Sequence, residues 1–106
     1  MIVVIGKALA RPDTLAQMQR LAVEHVERSR REPGCVSHEV ALDVLQPLQL
    51  TFTERWTDAA ALAAHFRVPA SRTFGQALAS LAAEPPAMHL YDTQELSVAE
   101  VLARAG

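Results

Sequence analysis

Between Thr53 and Phe66 the chain reads TERWTDAAALAAHF, which sets a carboxylate (Glu54), an indole (Trp56) and an imidazole (His65) in one short span. Upstream, CVSHEV carries a second imidazole, His38. An imidazole titrates near neutrality and can take a phenolic proton. A carboxylate can orient that imidazole or accept a proton itself, and an indole stacks on planar rings. The question is whether the set surrounds a reaction or merely fills a core. Each residue also has a plainer use. His65 could be a core-edge histidine tied to a backbone carbonyl, and His38 a satisfied strand histidine. Glu54 could be half of a structural pair with Arg55 of the partner subunit, another arginine or a helix N-terminus, and Trp56 a plug at the end of the core.

The elements around these residues follow from hydrophobic period. Ile2 to Leu9 is short, β-branched and apolar at almost every position, the pattern of a strand covered on both faces. Pro12 and Asp13 supply helix-start chemistry. Leu15, Met18, Leu21, Ala22, His25 and Val26 then recur at helical spacing until EPG (Glu32 to Gly34) ends the helix. Val36, His38, Val40 and Leu42 alternate with polar or small residues, and so do Leu50, Phe52, Glu54 and Trp56. These two period-two strands predict a hairpin whose apolar face lies under the helices. His38 and Glu54 are then polar groups inside an apolar layer, where they need partners or a cavity.

Asp58 is placed as the N-cap of a helix through Phe66. On that helix Leu62, His65 and Phe66 share a face, so His65 borders the same layer. Pro69 breaks it, and a further helical stretch carries Phe74, Leu78 and Leu81. Met88 to Leu96 reads as a last strand, with Tyr91 on the opposite face from Met88 and Leu90. Ser97 and Glu100 then stand at capping-box spacing before an apolar stripe of Val98, Val101 and Leu102. The expectation is one α+β domain over 1–96 and a short amphipathic helix over 97–106 that docks on the body or on a partner. The order strand, helix, strand, strand, helix, strand is the ferredoxin-like, or split βαβ, arrangement. It has a four-stranded antiparallel sheet with helices on one face. Val3, Ile5 and Leu9 point to the other face, which predicts a homodimer packed sheet to sheet.

Composition narrows the function classes. A chain of 106 residues with half of them hydrophobic is one domain with one modest core. Net charge is −2 with acids and bases interspersed, which argues against a nucleic-acid partner. Arg28, Arg30 and Arg31 read as a solvated helix end. The single cysteine, Cys35, reads as packing and suits a reducing cytoplasm. No apolar run reaches membrane-spanning length. His25 and His89 have no spacing partner, and no CxxC or HxxxH pattern exists, so no dedicated metal site is expected. Gly6, in mid-strand, either leaves room for a ligand or marks a bulge.

EPGCVSHEV, then FTERW, then AALAAHF, in this order and spacing, resemble the antibiotic biosynthesis monooxygenase domain, a family of small dimeric α/β-barrel proteins that includes quinol monooxygenases. The resemblance runs from the first strand to the last. It implies a pocket between sheet and helices. It also implies oxygenation of a quinol- or polyketide-like aromatic by O2 without metal or flavin. Glu54, Trp56 and His65 fall where the family commonly has Glu, Trp and His. The catalytic candidates are therefore His65, Glu54 and His38, and the substrate-binding candidates Trp56, Gly6, Phe52, Phe66 and Phe74. There are departures. Relatives often carry an aromatic residue at the position of His38 and a histidine after the proline where this chain has Ala70. The asparagine of the haem-degrading branch has no counterpart in IVVIGKALA. A haem-binding relative with His65 as axial ligand and a non-catalytic binding module are the alternatives.

Overall fold

The computed structural model describes residues 1–106. Its elements run β1 (Ile2–Leu9), α1 (Leu15–Ser29), β2 (Cys35–Leu42), β3 (Gln49–Trp56), α2 (Ala59–Arg67), α3 (Pro69–Leu81), β4 (Ala87–Asp92) and α4 (Val98–Ala105). The four strands form one antiparallel sheet in the order β2-β3-β1-β4. This is the ferredoxin-like arrangement, with its second crossover helix cut in two. Pro69 makes the cut: it sits at the first position of α3, where its missing N–H costs nothing. Asp58 caps α2 as anticipated, its Oδ1 accepting from Ala61 N at 2.9 Å.

The alternation of β3 holds along its length. Leu50, Phe52, Glu54 and Trp56 are all buried, on the face that α1, α2 and α3 cover. Two apolar clusters result. The larger joins Ala8, Met18, Ala22, Val26, Leu50, Phe52 and Leu78, and the smaller joins Val4, Trp56 and Leu62. Glu54 lies between Phe52 of one and Trp56 of the other, and Gly6 lies between Val4 and Ala8 on the neighbouring strand. The seam between the clusters is thus lined by a carboxylate and by a residue with no side chain.

Two expectations need correction. A β-bulge between Cys35 and Ser37 inserts an extra residue into β2, which turns Val36 out of the covered face and leaves it 54% exposed. Cys35 packs against the small cluster instead. The last strand stops at Asp92, not Leu96, and all its residues are exposed. The tail forms its helix with the full capping box, Ser97 Oγ accepting from Glu100 N at 3.1 Å, but it buries no residue against the body. On the open face of the sheet Val3, Ile5 and Leu9 are only half-buried, beside Tyr91 of β4.

Candidate active site

Three imidazoles meet at the seam. His25 comes from α1, His38 from β2 and His65 from α2, and all are buried. One ring nitrogen from each lies within 4.8 Å of the others. Ring centroids are 5.2 Å apart for His25 and His38, 5.3 Å for His25 and His65, and 5.8 Å for His38 and His65. Spacing along the chain does not reveal this group, because its members come from separate elements. His25, expected to have no partner, belongs to it.

The three rings are held differently. His65 Nδ1 donates to Glu32 Oε1 at 2.9 Å, which leaves Nε2 without a hydrogen bond in the chain. Glu32 lies in the EPG turn after α1, and Gly34, at φ 83°, shapes that turn. His25 Nδ1 accepts from the Arg28 guanidinium at 2.7 Å, and its ring stacks on Phe74 at 4.1 Å and 10°. Arg28 lies on the same helical face as His25, three residues on. It is partly buried and also reaches Ser71 Oγ at 3.4 Å, so it is not part of a solvated helix end. His38 is fully buried. Its Nδ1 has no partner, and its Nε2 stands 3.4 Å from Glu54 Oε1.

Burial pushes the His25 pKa down to about 3, with the charges of His38, His65 and Arg28 acting the same way and Glu54 opposing. His25 is therefore neutral at physiological pH. Burial would raise the Glu54 carboxyl, but the His38 contact, the His38 charge and the Trp56 indole outweigh it and hold the carboxyl below its ordinary value. Trp56 Nε1 donates to Glu54 Oε1 at 3.0 Å. At 3.4 Å the His38 contact is too long for a charge-assisted hydrogen bond, so its pull is mainly Coulombic. Burial, then Glu32 and Glu54, keep the Cys35 thiol protonated, in line with a packing role.

A chamber of about 400 Å³ opens beside this group. His25, Glu54 and His65 reach it, and Phe52, Phe66 and Phe74 wall it. Gly6 lines it too, and the strand pairing through Gly6 is regular on both sides, so no bulge explains the glycine. A methyl there would make only ordinary contact, 3.6 Å from Phe52 Cβ. The glycine keeps space open. Two expected site residues do not line the chamber. Trp56 is wholly buried in the small cluster, its ring 4.7 Å from that of His65. Its bulk props His65 and its N–H fixes Glu54, so it has no face free to stack on a ligand. His38 lies behind the two chamber-facing rings.

The arrangement offers one imidazole nitrogen free to take a proton, at His65, and one neutral imidazole, at His25. A cation bound by all three rings is disfavoured by Arg28. The guanidinium occupies the His25 Nδ1 lone pair, which puts the ring proton on Nε2, and it sets a positive charge beside the would-be metal.

Comparison with known proteins agrees with this fold. The family model described as antibiotic biosynthesis monooxygenase matches residues 1–77. A curated relative, an uncharacterised protein of Synechocystis sp., is 33% identical over 94 residues; the match takes in 89% of this chain and 64% of the relative. A Deinococcus radiodurans crystal structure named for the antibiotic biosynthesis monooxygenases superposes with a TM-score of 0.87 at 26% identity, over 92% of this chain and 96% of that one. A Nitrosomonas europaea structure named for the same group shares the fold, with a TM-score of 0.83 at 23% identity over 90% and 100% of the two chains.

Proposed function

The chain belongs to the antibiotic biosynthesis monooxygenase family, and from its chamber we propose a monooxygenase that oxidises a hydroquinone or anthrone-like aromatic with O2 and no cofactor. The observation that carries the reading is His65. Its Nδ1 is fixed by Glu32, its Nε2 is unengaged, and it faces an apolar chamber of ring-binding character. A carboxylate on Nδ1 orients the imidazole and stabilises the imidazolium that forms when Nε2 takes a proton.

The chemistry needs little more. Ground-state O2 reacts slowly with closed-shell molecules. A phenolate transfers one electron to O2, giving superoxide and a phenoxyl radical. Their recombination forms a C–O bond and a peroxide, and heterolysis of the O–O bond with loss of water leaves a ring carbonyl. For a hydroquinone the sum is one O2 consumed, one hydroxyquinone and one water formed. The protein must bind the ring, remove the proton and keep the radical pair close and dry.

Oxygen uptake by metal-stripped protein over a panel of hydroquinones and anthrones tests this. His65→Ala should lower kcat about 10²-fold, the low end for losing one general base. Uptake no faster than autoxidation across the panel would favour a non-catalytic binding module. A shifted Soret band on adding haemin would favour the haem-binding reading, which uses the same His65 nitrogen.

The half-buried Val3 and Ile5 and the helix α4, which has no buried residue, support a homodimer. Ile5→Asp would put an unpaired charge in a sheet-to-sheet interface and should weaken association by a few kcal/mol. Light scattering reads the result, and a wild-type monomer at micromolar concentration would end the proposal.

A further inference from the structure

His25 is buried beside the chamber, yet it cannot serve as the base. Its Nδ1 lone pair is taken by Arg28 at 2.7 Å. A neutral imidazole that accepts at Nδ1 carries its proton on Nε2. That Nε2–H makes no hydrogen bond within the chain, and the ring lines the chamber. The orientation is fixed twice, by Arg28 at one edge and by the Phe74 stack at 4.1 Å on the face. His65 is the converse: its Nδ1 donates to Glu32, so its Nε2 is the acceptor. The two imidazoles on one chamber therefore present opposite hydrogen-bonding characters.

Their separation suits a single oxygen atom. The centroids of the two rings are 5.3 Å apart, and both rings line the chamber. An oxygen about 2.8 Å from both nitrogens can bridge any gap up to roughly 5.6 Å. A phenolic O–H placed there donates to His65 and accepts from His25. When His65 takes the proton, the negative charge appears on the atom that His25 already holds.

We propose that His25 is a second catalytic group, a neutral Nε2–H donor that binds the substrate's developing phenolate oxygen, and that Arg28 is the positioning residue that fixes its tautomer. This rests on the reading of His65 as base, but it makes its own demands. The guanidinium forms no ion pair with a carboxylate and its Nε is buried without a partner, and Lys7 and Arg72 on the chamber lining outnumber its one carboxylate, Glu54, so the local charge favours an anion. Burial foremost, with the Arg28 guanidinium beside it, keeps His25 neutral down to about pH 3, so it stays a donor and never becomes a competing acid in the working range. Of the groups facing it, His38, His65 and Arg28 oppose protonation and only Glu54 favours it. A neutral ring polarises an oxyanion without giving its proton away.

The test separates this from the fate of the oxygenase reading, because it needs no turnover. In 15N-labelled wild type, long-range 1H–15N correlation should show His25 as the Nε2–H tautomer with no titration between pH 8 and 4.5. An Nδ1–H tautomer, or titration near the ordinary histidine value, overturns the proposal. As a binding probe, 4-nitrophenol should bind mainly as its phenolate, with its ionisation shifted to lower pH in the complex; nitrobenzene is the neutral control. His25→Phe keeps a ring for Phe74 to stack on and removes the donor. It should weaken 4-nitrophenolate binding at least tenfold and leave nitrobenzene binding within twofold. Arg28→Met should mix the tautomers and weaken the phenolate in part. Equal losses for both probes in His25→Phe would mean a packing role and overturn the proposal. If the tautomer and the probe behave as expected while oxygen uptake is absent, the donor stands and the oxygenase reading falls.

Discussion

Acid should unfold this protein through His25, and the size of the effect follows from its surroundings. The ring is 5% exposed and stacked on Phe74, and its pKa is pushed down to about 3 in the folded chain, by burial foremost. In the unfolded chain the same ring titrates near its ordinary value of about 6.5. Between those two values the unfolded state binds a proton that the folded state refuses. The sign is therefore fixed: stability rises with pH across that window and is lost as pH falls through it. The slope is at most about 1.4 kcal/mol per pH unit for one proton, so acidification from pH 6.5 to 4 removes roughly 3 kcal/mol. Against a total of about 5–15 kcal/mol for a small domain, that is a large share. Glu54 acts with the same sign but lower down. Its folded pKa is depressed, so its contribution is present above the ordinary carboxylate range and is lost as pH falls through it. Urea unfolding at a series of pH values from 7 to 4 reads the effect, in wild type and in His25→Phe. With a slope of about 1–3 kcal/mol per molar urea, the wild-type midpoint should fall by roughly 1–3 M. The variant should lose most of that dependence and keep only a residue below about pH 4.5. Parallel pH profiles for the two proteins would refute the reasoning, because burial of a neutral His25 would then carry no proton linkage.

Two further changes probe the frame of the site. Gly34→Ala forces a side chain onto a backbone at φ 83° and drives its methyl into Ala61 and the Thr57 hydroxyl, so denaturant unfolding should show a loss above about 2 kcal/mol. That turn also sets Glu32 against His65, and the variant should lose activity even under conditions where it remains folded. Trp56→Phe removes the N–H that Glu54 accepts, and should cost about 1–3 kcal/mol of stability with little change in KM, because the indole does not line the chamber. A large rise in KM with unchanged stability would restore Trp56 as a ring-stacking residue.

The parts of the site that alternation governs were legible in the sequence. Period two set Glu54 and Trp56 on the covered face of β3, and helical spacing set His65 over the same layer. His25 was legible in part. It stands on the apolar stripe of α1 with Met18, Ala22 and Val26, and that stripe must face the sheet. A search for ligand spacings along the chain cannot use that fact, because the other two imidazoles arrive from β2 and α2. Arg28 carried a comparable signal: three residues from His25 on one helix, it shares that histidine's face. The bulge in β2 left no trace, since one extra residue does not change the run of residue types. Glu32 was hidden for a different reason. Its carboxylate reaches His65 only because the chain reverses at Gly34, and the contact spans 33 positions.

The pairing of these hidden residues with the visible ones gives the site its direction. A buried imidazole alone has no preference for giving or taking a proton. Glu32 at Nδ1 of His65 makes Nε2 an acceptor, and Arg28 at Nδ1 of His25 makes Nε2 a donor. Exchanging the two neighbours would exchange the roles, although both rings would stay where they are. The resemblance to the family pointed to Glu54, Trp56 and His65, but two of these set up the third. Trp56 and Glu54 bond to each other, and Trp56 packs against His65. On the proposed reading, which ring removes the proton and which holds the charge left behind is set by Arg28 on α1 and by Glu32 in the turn after it. A family member that keeps both histidines but loses either neighbour should therefore keep its chamber and lose this division of roles. The measurement is the tautomer of each ring, which reports the neighbour without reference to any substrate.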